Sequence, residues 1–181
     1  MKPVLFAVLL AASGSMAAAQ QNPMVGGAPM FASRNIVENA VNSADHTTLV
    51  AAVQAAGLVE ALQGQGPFTV LAPTNAAFAA LPAGAVESLL MPENLAALQT
   101  VLTCHVVPTR ALWGEVRGMI RADGGRHTIT TLGGCQFDAF ERAGALYIVD
   151  GQGREARITI ADVIQSNGVI HVIDSVLLPT G

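Results

Sequence analysis

The stretch FTVLAPTNAAF, residues 68–78, joins two kinds of local structure without a linker. Its first four residues have the aromatic and β-branched content of a buried strand. Thr74 and Asn75 carry side chains that cap helices, and helix formers follow them. Pro73 stands at the junction, where it cannot donate a ladder hydrogen bond and biases the preceding residue towards an extended conformation. The stretch therefore predicts a strand that turns directly into a helix.

Length and composition indicate one folded domain. The chain has 181 residues, of which 51% are hydrophobic and 12% are charged, which is far from the composition of disordered proteins. Its net charge is −4, and Lys2 is its single lysine. Phosphate binding needs clustered Lys and Arg, and the arginines here are scattered among acidic residues. We therefore expect no nucleic-acid partner.

The N-terminus has the features of a secretory signal peptide. Residues 1–19 combine a positive start at Lys2, a short apolar run and small residues that end at Ala19. Cleavage is expected between Ala19 and Gln20. The apolar run is shorter than the roughly 20 residues that a membrane-spanning helix needs, and no later segment reaches that length. We expect an exported chain, periplasmic or secreted, without a transmembrane segment.

The rest of the chain changes from helical to strand patterns. Residues 20–34 are rich in Gln, Gly and Pro and lack periodicity, which indicates a flexible lead-in. Helical spacing of apolar residues follows, as in ENLAALQTVLTC, residues 93–104. From residue 127 onward, short runs separated by turns indicate strands. Helices followed by strands, with one early strand, predict an α+β domain over residues 35–179.

Three segments resemble the fasciclin domain. They are FTVLAPTNAAFAALP at 68–82, LTCHVVP at 102–108 and SNGVIHVIDSVLLP at 166–179. They occur in the family's order, and the first and last are specific to it. The resemblance implies a β-sandwich wedge flanked by helices packed on one side. It also implies a non-catalytic adhesion protein, here similar to single-domain bacterial members that are secreted or periplasmic.

The chain departs from the family pattern at one place. Where the family usually has a Tyr-His pair, this chain has Cys104 and His105. Residues around that pair are linked to receptor contact in animal members, so the resemblance does not extend integrin binding to this chain. Of this pair, only His105 matches the family pattern. It is either a ligand or recognition residue, or a core side chain that donates to a backbone carbonyl.

The other polar residues of the motifs have structural explanations. Apolar residues occupy both faces of the closing motif, which predicts a central strand with His171 and Asp174 on opposite faces as structural polar groups. Thr74 and Asn75 can cap the helix that follows them. Common catalytic motifs are absent from the sequence. We therefore expect no catalytic residue and no cofactor.

A metal site is not expected from the histidine spacing. No two of the four histidines are three or four residues apart, so a zinc site would need tertiary contacts alone. His46 is expected at a helix start and His127 at a strand start, both exposed. The set consists of His46, His105, His127 and His171.

The two cysteines, Cys104 and Cys135, are expected to form a disulfide. Two cysteines in an exported chain are more often paired than free, and neither lies in a C-x-x-C motif. The alternative is two buried free thiols, because the sequence does not show that the two residues are close.

Recognition is expected near Trp113. The segment RALWGEVRGMIRAD, residues 110–123, is amphipathic and leaves Trp113 at the edge of the apolar face, with Arg110 and Arg117 on neighbouring turns. An aromatic ring beside arginines suits a polysaccharide or an acidic partner. The alternative is that Trp113 completes the core.

Two functions stay open. The first is a non-enzymatic exported module, expected to be a monomer, that binds a cell-surface protein, a polysaccharide or another matrix component. The second is a periplasmic carrier or binding protein for a small molecule or lipid, which would use a cleft between the helices and the sheet. A hydrolase of unknown type is the least favoured.

Overall fold

The computed structural model describes residues 22–180. The predicted signal peptide lies outside the described residues. After a short N-terminal hairpin, most helices precede most strands, as the predicted α+β class requires. The elements are β1 Met24–Val25, β2 Ala28–Pro29, α1 Ile36–Ala40, α2 Thr47–Ala55, α3 Val59–Gln63, β3 Phe68–Pro73, α4 Asn75–Ala79, α5 Ala85–Leu89, α6 Leu95–Cys104, β4 Val106–Val107, α7 Trp113–Ala122, β5 Arg126–Thr130, β6 Gln136–Arg142, β7 Ala145–Val149, β8 Glu155–Gln165 and β9 Gly168–Ile173, with 3-10 turns at Ala44–His46 and Pro92–Asn94.

Seven of the strands form one mixed sheet in the order β4-β3-β9-β8-β7-β6-β5. Neighbouring strands are antiparallel except β3 and β9, which run parallel with Phe68 opposite Gly168 and Pro73 opposite Ile173. Every residue of β9 is buried. The prediction that the closing motif forms a central strand is therefore confirmed.

The sheet bends at β8. Its register against β9 shifts between Ile158 and Ile160 and again between Ile160 and Val163, and Asp162 has a φ of 56°. Extra residues of this kind kink a strand and increase its twist. Leu71 of β3 and Ile173 of β9 share one core with side chains of β6 and β7, so the β5–β7 half of the sheet folds over the β3–β9 half, as a sandwich wedge requires.

Two apolar cores lie on opposite faces of the central strands. Val70 and Val172 face the first core, which packs under the helices α1 to α6. Leu71 and Ile173 face the second core, where they meet side chains of β6, β7 and β8. Alternate side chains of a strand point to opposite faces, so β3 and β9 supply both cores at once. The seventh helix, α7, covers the second core through Ile120.

The segment before α1 is ordered, so the flexible lead-in predicted for residues 20–34 is wrong for its described part, residues 22–34. The strands β1 and β2 form a hairpin, and Val25 and Met30 are buried in the first core. The Ala44 N–H donates to the Gly26 carbonyl at 3.1 Å, which holds the hairpin against the turn before α2. A tight glycine turn and two apolar side chains are enough to order a segment without periodicity.

The strand-to-helix corner at residues 68–78 is formed as predicted. β3 ends at Pro73, and α4 begins two residues later. The Thr74 hydroxyl accepts a hydrogen bond from the Ala77 N–H at 3.3 Å, as an N-cap side chain should.

Asn75 has a different role from the one expected. Its Oδ1 accepts from the Thr48 N–H at 3.0 Å, and its Nδ2 donates to the Ala44 carbonyl at 2.9 Å. Asn75 therefore satisfies an N–H in the first turn of α2, not of α4. The corner is thereby fixed to a helix that precedes it by about thirty residues, a contact that the local pattern cannot indicate.

Replacing Asn75 by Ala should destabilise the protein by about 1 to 2 kcal/mol, because it leaves the first turn of α2 without its acceptor. Thermal or urea unfolding measures the change. Asn42→Ala is the matched control, since Asn42 makes one exposed hydrogen bond, to the Glu38 carbonyl, and should cost less than about 0.5 kcal/mol. Equal losses in the two variants would contradict the role assigned to Asn75.

A disulfide joins Cys104 at the end of α6 to Cys135 in the turn between β5 and β6, with the two Cα atoms 5.4 Å apart. It crosses from the helical layer to the folded-over half of the sheet. The adjacent backbone reinforces the link, because the Gly133 N–H donates to the Thr103 carbonyl at 3.1 Å. The predicted pairing is present in the structure.

Removing the disulfide in the double variant Cys104→Ala, Cys135→Ala should lower the free energy of unfolding by about 3 to 4 kcal/mol, because the cross-link restricts the unfolded chain. Chemical denaturation measures the loss, and wild-type protein in reducing agent should lose a similar amount. Denatured but unreduced wild type should contain no titratable thiol, and two thiols would exclude the link.

Candidate functional site

His105 is a buried core residue with both ring nitrogens in use. Its Nδ1 lies 2.8 Å from the Val101 carbonyl, and its Nε2 lies 3.0 Å from the Leu177 N–H, which donates to it. This pair of bonds requires a neutral ring with its proton on Nδ1. Since the side chain is 2% exposed, the recognition interpretation of His105 has no exposed atom to support it.

Burial lowers the pKa of His105 to about 4, against smaller raising effects of the Val101 carbonyl and the Asp150 carboxylate. The lowered pKa agrees with the geometry, because a second ring proton would point at the Leu177 N–H. Such a histidine holds α6 to the segment after β9. It is not suited to proton transfer near neutral pH.

His171 makes an equivalent link on the other side of β9. Its Nε2 lies 2.8 Å from the Ala111 carbonyl, and its Nδ1 accepts from the Asp162 N–H at 3.2 Å. Burial lowers its pKa as well, opposed by the Ala111 carbonyl and the Asp162 carboxylate. His171 therefore fixes the bulge of β8 and the segment before α7. Asp174 is not its partner, because Asp174 accepts from the Arg157 N–H at 2.8 Å.

The protein should lose stability as the pH falls from about 6.5 towards 4. In that range the unfolded chain binds a proton at residue 105 and the folded chain does not, so each unit of pH costs about 1.4 kcal/mol and the total for this group is about 3 kcal/mol. Unfolding curves at pH 7, 6, 5 and 4 measure the slope. His46 and His171, whose pKa values are also lowered, add to it.

The matched pair of variants is His105→Gln and His127→Gln. Glutamine can accept from the Leu177 N–H but cannot be protonated, so His105→Gln should be less stable at pH 7 and have a flatter pH profile. His127 is partly exposed at the start of β5, 2.6 Å from Asp123, so His127→Gln makes the same substitution outside the core, and the profile of His105→Gln should be flatter than that of this control. An unchanged slope in His105→Gln would contradict the assignment.

The expected surface around Trp113 is arranged differently from the prediction. α7 begins at Trp113, because the Asp162 carboxylate accepts from the Trp113 N–H at 2.7 Å and Glu115 accepts from the Leu112 N–H. Arg110 therefore precedes the helix and does not lie on a neighbouring turn. It lines an open cleft with residues 63–67 and 165–168.

Arg117 and Trp113 are both partly committed to the protein itself. Arg117 lies 6.0 Å from the Trp113 ring centroid, but its Nε and Nη2 both donate to Glu141 on β6. This pair raises the pKa of Arg117 and lowers that of Glu141. Trp113 is half-buried and packs against the second core. The fork of donors that the sequence assigned to a partner is largely used within the chain.

An arginine–aromatic row crosses the outer face of the sheet. Cross-strand pairing places Arg126, Phe140, Tyr147 and Arg157 side by side on β5, β6, β7 and β8. The Phe140 and Tyr147 rings are stacked with centroids 5.4 Å apart. Arg126 lies 5.3 Å from the Phe140 ring, and Arg142 lies 4.2 Å from the Tyr147 ring.

Sequence reasoning did not find this row, although its members were visible. They lie in four separate strands, and only the register brings them together. The alternation in QFDAFER, residues 136–142, could have indicated part of the row. Phe137 and Ala139 face inward, so Phe140 faces outward. Arg157 forms no ion pair with any other described residue, whereas Arg126 pairs with Asp138 at 3.5 Å and Arg142 pairs with Glu155.

An apolar cavity of about 320 Å³ lies between the helical layer and the central strands. Its walls come from the N-terminal hairpin, α1, α2, α3, β3 and β9. His46 is part of the lining and is 3% exposed, so the prediction that it is exposed is wrong. The turn before α2 directs the ring inward, where it packs beside Ser43. The main lining residues are Val25, Ile36, Leu49, Val53, Phe68 and Ile170.

The described residues contain neither a metal site nor a membrane-spanning helix. Within residues 22–180, no group of three or more His, Cys, Asp or Glu side chains is placed to hold a metal ion. No helix among the same residues is long and apolar enough to cross a membrane.

The chain belongs to the fasciclin family, whose model, described as the fasciclin domain, matches residues 44–179. A Synechocystis protein, sll1483, is 44% identical over 170 residues, which span 93% of this chain and 86% of that protein. Immunogenic protein MPB70 of Mycobacterium bovis is 34% identical over 150 residues, which span 77% of this chain and 66% of the MPB70 chain. The predicted family is confirmed.

The fold is shared with a solved structure, the FAS1 domain pair from the insect cell adhesion molecule Fasciclin I. The TM-score is 0.72 at 17% identity, over 80% of this chain and 51% of that chain. This likeness confirms the predicted α+β fold. Proteins of the family are generally non-catalytic and adhesion-type.

Proposed function

We propose that this protein is an exported, non-enzymatic interaction module that binds a cell-surface or matrix component. The observation that carries the proposal is the arginine–aromatic row on the outer face of the sheet. Family membership and the signal-peptide pattern of residues 1–19 support it. The partner that fits the row best is an acidic polysaccharide.

The row offers both kinds of contact that an acidic sugar polymer needs. Partly exposed rings of Phe140 and Tyr147 supply apolar area for the face of a sugar ring. The guanidinium groups of Arg126 and Arg157 stand at the two ends of the row and can donate in pairs to carboxylate or sulfate oxygens. Arg126 shares an exposed ion pair with Asp138 at 3.5 Å, which a polyanion can replace at little cost. Four strands fix these side chains at a regular spacing, so the chain loses little conformational freedom on binding.

The surface of Arg110, Trp113 and Arg117 is a second proposed contact region. Arg110 lies in an open cleft, and the exposed part of Trp113 is close to the start of α7. Arg117 would first have to leave Glu141, which makes it the weaker donor. His105 belongs to the core and would act only by holding α6 in place.

The double variant Arg126→Ala, Arg157→Ala should bind alginate, a carboxylated polysaccharide, about tenfold more weakly than wild type, because two charged contacts of about 0.7 kcal/mol each are lost. Surface-immobilised alginate, with neutral dextran as the reference polymer, measures the affinity at low and high salt. The thermal midpoint should change little, since both side chains are exposed.

Arg110→Ala, Arg117→Ala is the matched control, with the same change of charge. If this control loses binding and the first variant does not, recognition lies around Trp113. If wild type binds alginate no better than dextran, an acidic polysaccharide is not the partner.

A second function, that of a carrier for an apolar molecule, is favoured by the cavity between the helices and the sheet. Its volume lies at the lower end of the range usual for small-molecule sites, about 300 to 1,000 Å³. A carrier should purify with a ligand that native mass spectrometry detects, whereas an adhesion module should bind cells or polysaccharide without one.

A further inference from the structure

The apolar cavity is large enough to hold a molecule and not merely a packing defect. An engineered cavity of about 150 Å³ lined by apolar side chains stays dry and binds benzene. The cavity here has about twice that volume, 320 Å³. It would therefore accept roughly a dozen carbon atoms. Among its lining residues, Gln54, Ala61 and Leu132 are exposed, so the cavity reaches the surface of the protein.

One polar atom in the cavity wall is not used by the protein. His46 Nδ1 lies 2.8 Å from the Ser43 hydroxyl, but Nε2 is buried and has no hydrogen-bond partner within the described chain. The nearby Ala72 carbonyl raises the pKa of His46 against the larger lowering effect of burial, yet it does not meet hydrogen-bond geometry at Nε2. An unsatisfied buried group of this kind costs about 1 to 3 kcal/mol.

The other polar side chains in the interior of the lining have hydrogen-bond partners, and the Ser43 hydroxyl is bonded to His46 itself. The Thr103 hydroxyl donates to the Gln99 carbonyl at 2.7 Å. Both nitrogens of His105 are bonded to the backbone, at Val101 and Leu177. His46 Nε2 is thus the one buried side-chain nitrogen or oxygen of the described lining that has no hydrogen-bond partner.

The lining also sets the charge of the ligand. It contains no Asp, Glu, Lys or Arg among the described residues, and burial favours the neutral form of both of its histidines. A carboxylate or ammonium group inside the cavity would lose its hydration without gaining a counter-ion. A fatty acid anion is therefore a poor fit, and a neutral molecule is a good one.

The Ser43 hydroxyl decides what kind of oxygen His46 can bind. If the hydroxyl donates to Nδ1, the ring carries its proton on Nε2 and can donate to a carbonyl or hydroxyl oxygen. If the hydroxyl accepts from Nδ1, Nε2 is an acceptor for a hydroxyl. An alcohol fits either form of the ring because it both donates and accepts.

We propose that the cavity binds a neutral, apolar molecule of about a dozen carbon atoms that carries one hydroxyl or carbonyl oxygen, and that His46 Nε2 hydrogen-bonds this oxygen. The inference rests on the carrier function above and names its ligand class. The N-terminal hairpin is part of the site, because Val25 and Met30 close the cavity beside Ser43.

The test compares decan-1-ol, decane and decanoate as competitors of naphthalene, a neutral fluorescent probe that is small enough for the cavity. The three ligands share a ten-carbon skeleton and differ at one end. Wild type should bind decanol about fivefold more tightly than decane, since a net hydrogen bond contributes about 1 kcal/mol. Decanoate at pH 7.5 should bind most weakly. The His46 ring nitrogen signals in NMR should move with decanol and not with decane.

Two variants separate the hydrogen bond from the cavity. His46→Leu should keep decane binding and lose the preference for decanol. Val53→Phe places a larger side chain in the wall and should weaken the binding of decanol and decane alike. Thermal melting checks that both variants fold. If one variant does not fold, the ranking of the three ligands by wild-type protein still tests the inference.

The outcomes distinguish the ligand class from the carrier function. If decane and decanol bind equally well, the cavity is a binding site but the contact with His46 is wrong. If none of the ligands displaces naphthalene, or if naphthalene itself does not bind, the carrier function is wrong together with this inference. Unchanged binding in folded Val53→Phe would place the site elsewhere and overturn the proposal.

Discussion

The parallel pairing of β3 with β9 is the contact on which the rest of the structure depends. Its two strands lie a hundred residues apart in the chain and pair over six positions, from Phe68 opposite Gly168 to Pro73 opposite Ile173. Parallel strands need a long connection, and here the connection contains four helices and five strands. Gly168 permits the close approach at one end, because a Cβ there would lie 2.1 Å from the Phe68 carbonyl oxygen. Both apolar cores are built on the two faces of this pair.

Buried polar side chains attach the remaining elements to that pair. Asn167, beside the start of β9, accepts from the Ile36 N–H of α1 and donates to the Leu62 and Gly64 carbonyls at the end of α3. Asn39 of α1 bonds the Phe31 backbone and Gln165 of β8. Each buried polar group needs its partner, since a missing one costs more than a made bond contributes. His105 and His171, which could be taken for catalytic residues in the sequence, likewise use their ring nitrogens for bonds to the backbone.

The two proposed sites lie where side chains or space are not used by close packing. On the outer face of β5 to β8, Arg126 and Arg157 are exposed and the rings of Phe140 and Tyr147 are partly exposed. The cavity beneath α1 to α3 lies in the first core, where close packing would otherwise be expected. A void of this size forfeits dispersion contacts along its lining, and a bound apolar molecule would restore them. The two sites lie on opposite sides of the central strands, so they can act independently.

The sequence by itself determined the family, the α+β class, the strand-to-helix corner and the central position of the closing strand. These features depend on local signals such as Pro73, the Thr74 cap and the two apolar faces of residues 169–178. The pairing of Cys104 with Cys135 was also foreseen, because only two cysteines were available. The tertiary structure decided what depends on register and packing: the helix that Asn75 caps, the inward ring of His46 and the row from Arg126 to Arg157. Such contacts join residues far apart in the chain, and no local pattern encodes which distant backbone or strand will lie beside a given side chain.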